Sequence, residues 1–213
     1  MRDAFTFTLA TGGAMPDAIG RALTDTNPNS CVDLRCDRHG KPWKASDKIK
    51  TFMGIWESGR MEGTTRIFRA DHSHIDVPVS GGMILVVYRD DRGNPTVGCG
   101  HLVLPEDNLQ VGQTITVARA RDLLEKDLKR MEEAINRNVR VLLHQYEYDA
   151  LVSICFNAGG GAAAIEIAGR VNQGDYQNIA EYITTFRCRN PRLRQRRITE
   201  ARVFAQGIYD ATH

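Results

Sequence analysis

The stretch VVYRDDRGNPTVGCGH, residues 86–101, limits the fold of this chain more than any other. Two β-prone runs flank a turn-forming Asp-Asp-Arg-Gly-Asn-Pro cluster, the signature of an antiparallel hairpin. Two further β-prone runs, TTRIF and MILVVY, precede it. Residues 63–103 therefore read as a small antiparallel sheet. Its hairpin turn places Asp90 in solvent, where a carboxylate stays ionised. Gly98 and Gly100 are expected where backbone must approach closely without a side chain in the way.

The chain around this sheet is helical. Ser46 is a natural N-cap with Asp47 in the first turn, and Ile49, Phe52, Met53 and Trp56 follow at helical spacing until Gly59 stops the helix. Downstream, Thr116 caps a helix whose stripe is Leu124, Leu128, Met131 and Ile135. Four more helices are expected at 144–157, 162–172, 177–187 and 191–208, separated by NAGGG, NQGD and RNP. A lone helix, a small sheet and a helical bundle make an α+β fold, mainly helical, with a cleft between two lobes.

Composition narrows the function classes. The 213 residues suit one domain, and 42% hydrophobic with 25% charged residues describe an ordinary globular protein. A net charge of +2 argues against a nucleic-acid partner, although RCRNPRLRQRR near the C-terminus concentrates arginine on what reads as a solvated helix face. Neither a membrane-spanning stretch nor a signal peptide is recognisable, so membrane insertion is not expected.

Residues 1–45 lack a sustained period and carry the turn clusters TNPNS and RHGKP, so they read as an appended segment or linker. Cys31 and Cys36, with His39 behind them, suit a disulfide or part of a zinc site without an evident fourth ligand. The favoured reading is no metal. Cys99 and Cys155 read as small buried hydrophobes.

The hairpin resembles the active-site hairpin of phage-type lysozymes, the muramidase endolysins of tailed bacteriophages: Tyr-x-Asp, a short Gly turn, then Thr-Val-Gly-x-Gly-His. ITVARARDLLEKDL, LHQYEYDALVSICFNAGGGA, VNQGDYQNIAEYITTF and LRQRRITEARVF are similar to later segments of that family, so the likeness spans roughly residues 46–209. It implies a lysozyme-like fold and hydrolysis of the β-1,4 bond between N-acetylmuramic acid and N-acetylglucosamine, with peptidoglycan as partner and no cofactor. Asp90 and Thr96 would position a water. Asn157, His101, Arg196 and Arg197 would serve the substrate side, although His101 reads more readily as a hydrogen-bonding residue of the hairpin. One arginine, with Glu200 behind it, would pair with the catalytic acid.

That acid is missing from its place. The family's Glu stands seven residues before the Tyr, and Gly81 occupies that position. Glu57 fits instead, at the end of the helix stripe beside Trp56, if residues 58–82 are an insertion; Glu62 lies off the stripe and is the poorer candidate. The insertion contains DHSHID, which would set His72, His74 and Asp76 on one strand face, with a solvated loop beside the cleft preferred over a metal site. The competing function is an inactive wall-binding module that lost its acid at Gly81.

Two settings follow from the resemblance, a phage endolysin and the lysozyme domain of a secreted antibacterial effector. The second would add secretion machinery and an immunity protein as partners. In either setting the site of action is the bacterial periplasm or cell wall, reached through a pore or a secretion system.

Overall fold

The computed structural model describes residues 38–69, 71–188 and 190–212. Helix α1 (Asp47–Ser58) begins where Ser46 accepts the Ile49 N–H and ends at Gly59, whose φ of 79° lets its N–H close back on the Ile55 carbonyl. Five strands follow: β1 (Gly63–Phe68), β2 (His74–Ser80), β3 (Met83–Arg89), β4 (Pro95–Gly98) and β5 (His101–Leu102). After a 3-10 turn at Pro105–Asp107 the helices α2 (Val117–Asn138), α3 (Gln145–Ala158), α4 (Gly161–Val171), α5 (Tyr176–Thr185) and α6 (Arg192–Gln206) complete the fold. The α+β architecture is as the sequence indicates.

Helix α3 is the hub of the core. Its residues from Glu147 to Cys155 are all buried, which requires neighbours on every side. Buried Asp149 also anchors α1: Ser46 donates to it through backbone N at 3.0 Å and Oγ at 2.5 Å, and Tyr209 donates its hydroxyl at 2.6 Å. The start of α1 is thereby tied to the helical lobe.

The sheet runs in the order β1-β2-β3-β4-β5, antiparallel throughout. The expected insertion supplies the first two strands, so most of it is hairpin rather than loop. Its register pairs Gly63 with Val79 and Ile67 with Ile75. Only two pairs, Val79 with Ile84 and Ser80 with Met83, join it to β3. Period-2 alternation then puts Val77, Val79, Ile84 and Tyr88 in one buried cluster, with Ile67, Ile75 and Val86 packed against it.

Residues 38–45, the described part of the N-terminal segment, pack against the helices. Trp43 is 5% exposed, its Nε1 donating to the His39 carbonyl and its backbone N to Asn136 Oδ1. Arg38 makes a two-point ion pair with Glu147, and His39 bridges to Leu143. A turn-rich run has no period to betray one large buried aromatic. Cys31 and Cys36 lie outside the described residues.

Candidate active site

Glu57 emerges from the last turn of α1 with its side chain 31% exposed, and its Oε1 accepts a hydrogen bond from Arg196 Nη1 at 2.6 Å. Arg196 is buried on α6, where Nε donates to Glu200 Oε1 at 3.2 Å. Glu200 is fully buried and also accepts from Ser153 Oγ at 2.7 Å and Arg197 Nη1 at 2.5 Å. Arg197 then reaches Asn157 Oδ1 at 2.8 Å and the Phe186 carbonyl at 2.9 Å. Helical spacing explains the motif: Glu200 is i+4 to one arginine and i+3 to the other, so a single carboxylate serves both. The pairing of one arginine with Glu57 is present, and it is Arg196.

On the sheet, Asp90 folds its own turn. Its Oδ1 accepts from the Arg92 and Asn94 backbone N–H groups at 2.9 and 2.7 Å, and its Oδ2 from Asn94 Nδ2 at 3.3 Å. Slight desolvation would raise its pKa, but the hydrogen bonds from Asn94 and Arg92 outweigh it and hold the carboxyl below its ordinary value. Asp90 is therefore the ionised partner at neutral pH. Thr96 stands opposite Tyr88 on the neighbouring strand, buried, and donates to the Asn94 carbonyl at 3.3 Å, which also accepts the Asp90 N–H at 2.9 Å. Asn94 thus ties Asp90 to Thr96. Its lone signal in the sequence was a place in a turn, where Asn is common for many reasons.

Tyr88 links the two halves. Burial pushes its phenol up to about 12, and the nearby charges of Glu57 and then Asp90 add to the effect. The same ring lies within electrostatic reach of both carboxylates.

Three residues expected on the substrate side are buried instead. His101 is 3% exposed, with Nδ1 2.9 Å from Asp127 and Nε2 2.9 Å from Asp107, so both ring nitrogens are engaged within the protein. Hydrogen bonding to Asp127, opposed by burial and helped by Asp107, raises its pKa. Arg197 and Arg196 are similarly turned inward by their carboxylates. All three side chains are held by partners within the protein. Asn157 is half-buried and receives Arg197.

Gly98 and Gly100 also have a different reason from the one expected. Both take positive φ, 69° and 78°, while a Cβ on Gly98 would make only ordinary contact with Ala120 and one on Gly100 would meet open space. Conformation, not close approach, selects glycine there.

In the inserted hairpin, Asp76 pairs with Arg66 at 3.2 Å and the His74 ring lies 6.2 Å from Phe68. No group of three or more His, Cys, Asp or Glu able to hold a metal ion occurs among the described residues. Glu62 is engaged elsewhere, accepting the Gly81 N–H at 2.8 Å.

The family model described as Phage lysozyme matches residues 79–200. An endolysin of Salmonella phage P22 is 41% identical over 102 residues, covering 47% of this chain and 70% of the relative. A SAR-endolysin of Enterobacteria phage P21 is 29% identical over 103 residues, covering 48% of this chain and 61% of the relative. Among solved structures, a P22 lysozyme mutant superposes with a TM-score of 0.57 at 28% identity, over 77% of this chain and 99% of that one. An endolysin from Escherichia coli O157:H7 phage FAHEc1 shares the fold, with a TM-score of 0.60 at 24% identity, over 81% of this chain and 99% of that one. These relatives are endolysins, and the effector setting finds no support in them. The family match begins at Val79, so Glu57 lies outside it.

Proposed function

Because this chain belongs to the phage lysozyme family, whose members are peptidoglycan-cleaving muramidases, we propose that Glu57 is its general acid and that Asp90 and Thr96 manage the attacking water. The enzyme hydrolyses the β-1,4 bond between N-acetylmuramic acid and N-acetylglucosamine. Such a reaction needs one carboxyl to protonate the leaving oxygen and a second carboxylate on the other side of the developing oxocarbenium ion. The observation that carries the assignment is the packing of α1 on the chain entering β3: a Cβ on Gly54 would lie 2.8 Å from the Gly82 carbonyl oxygen, and β3 leads to Tyr88, opposite Thr96.

Each side supports its role. Arg196 holds the Glu57 carboxyl from below, leaving part of it exposed to a ligand in the cleft. Asp90 is ionised and kept rigid by its own turn, and the Thr96 hydroxyl is held to the same Asn94 carbonyl as the Asp90 backbone. A water held by that pair would attack from the face opposite the leaving group, so the sugar product inverts. His101, Arg197 and Asn157 brace these elements.

The test is turbidity loss of purified cell walls. Glu57→Gln is isosteric and removes the proton donor, so activity falls by about 10²–10⁴-fold while the fold persists. Activity equal to wild type would remove Glu57 from the mechanism. Delivery to the wall through a membrane pore accompanies this reading. Residues 38–45, which hydrogen-bond to the helices through Arg38 and Trp43, belong to the catalytic domain in this reading.

A further inference from the structure

The inserted hairpin leaves and re-enters the fold at a single point, immediately after the acid. Ser58 and Gly59 end α1; Met61 O then accepts the Gly82 N–H at 2.9 Å, and Glu62 Oε1 accepts the Gly81 N–H at 2.8 Å and the Ser80 hydroxyl at 3.3 Å. At this closure the helix and the returning chain touch backbone to backbone. A Cβ on Gly54 would lie 2.8 Å from the Gly82 carbonyl oxygen, and one on Gly82 would lie 3.0 Å from Ile55 N and 3.1 Å from Thr51 O. Both glycines are buried, and Gly82 also takes a φ of 79°. Gly54 sits mid-helix, where glycine is the poorest residue short of proline, so its presence has a packing reason.

We propose that the Gly54–Gly82 crossing, latched by Glu62, is the positioning device that sets Glu57 against Asp90 and Thr96. The hairpin is then part of the catalytic apparatus. Glu57 lies three residues beyond Gly54, about 4.5 Å along the helix axis. Gly82 leads directly into β3, the strand that ends at Tyr88 and Asp90. One close contact therefore joins the element carrying the acid to the element carrying the water side. Arg196 fixes the tip of the Glu57 side chain, whereas the crossing fixes the backbone from which it springs. In a chain with the acid seven residues before the tyrosine, covalent continuity would do this; with about two dozen extra residues between them, a non-covalent contact has to.

The inference rests on Glu57 as the acid and is tested beside Glu57→Gln. Soluble uncross-linked glycan strands serve as substrate, with kcat and KM measured separately. In Gly54→Ala the new methyl must push Gly82 away, and a displacement approaching 1 Å costs up to about 10²-fold. The expected result is a kcat loss of roughly 10- to 100-fold with KM within about twofold. Unchanged kcat, or a loss matching only the unfolded fraction, would overturn it.

Should Gly54→Ala fail to fold, exposed Glu62 provides the second arm. Glu62→Ala removes the latch and should lower kcat severalfold, and Glu62→Gln, which keeps the accepting oxygen, should restore it. Wild-type kcat in Glu62→Ala, or a Glu62→Gln as impaired as Glu62→Ala, would overturn the latch; the second result would give the Glu62 carboxyl itself the chemical role. Full activity in Glu57→Gln would instead sink the underlying assignment.

Discussion

Arg196 reaches Glu57 from the opposite end of the domain, its Nη1 2.6 Å from the Glu57 carboxyl while its Nε is 3.2 Å from Glu200. One guanidinium thus spans the carboxylate proposed as the acid, 31% exposed, and a carboxylate with no exposed surface. This dual attachment depends on the planar fork of arginine.

Replacing Arg196 with Ala leaves Glu200 short of a partner in the interior. Breaking a buried pair this way costs about 3–5 kcal/mol, so the urea midpoint should fall steeply. Arg196→Lys keeps the charge without the fork and should fall between Ala and wild type in stability. It should also lose activity, because an ammonium cannot serve both carboxylates at these two positions. Chemical denaturation with parallel wall-lysis assays checks both.

Asp90→Asn separates charge from architecture. The amide oxygen can still accept from the Arg92 and Asn94 N–H groups, so the turn should survive and the melting temperature should barely move. Activity should nonetheless fall by about 10²–10⁴-fold, since the ionised carboxylate is gone. Nuclear magnetic resonance of the wild-type product should show the inverted anomer first.

The His101 cluster makes stability depend on pH with a definite sign. Hydrogen bonds with Asp127 and Asp107 raise the His101 pKa above 6.5, so its contribution is complete below that value and is lost as pH rises through the raised folded value. Asp107 shifts the other way: desolvation is outweighed by the Leu104 N–H, His101 and Lys126, and its contribution, present above 3.8, is lost as pH falls. Stability from this cluster is therefore greatest between about pH 4 and 6.5. His101→Gln should lower stability by roughly 1–3 kcal/mol near pH 6 and flatten the decline between about pH 6.5 and 8. Calorimetric melting across that range checks it.

Trp43 tests where the folded domain begins. It is 5% exposed and hydrogen-bonded through both of its nitrogens, so Trp43→Ala should cost about 3–5 kcal/mol. A chain beginning at residue 46, which lacks Trp43, should be at least as destabilised as Trp43→Ala. A Trp43→Ala melting temperature equal to wild type would place residues 38–45 outside the folded domain.

Much of the fold is legible in local chemistry. Ser46, Asp47 and Gly59 mark α1 because capping is a contest between neighbouring groups and needs no distant partner. Thr116 marks α2 in the same way, and the turn between β3 and β4 is visible because Asp, Gly and Asn are what a tight reversal requires. Asp90 and Thr96 are readable as a site because both lie on one hairpin, where sequence distance and spatial distance are nearly the same.

Long-range relationships were another matter. Nothing in the order of residues says that Gly82 returns to Gly54, since a glycine chosen for close approach looks the same as one chosen for a turn. The sequence reads His101 as a hydrogen-bonding residue without naming its partners, and only the structure shows them to be Asp127 and Asp107, with Glu200 the partner of Arg197. The sequence alone determined most of the elements and the hairpin that carries Asp90 and Thr96, because these depend on interactions over a few positions. Tertiary structure decided which distant groups meet: Arg196 with Glu57, and Gly54 with Gly82, lie far apart along the chain, and only packing brings them together.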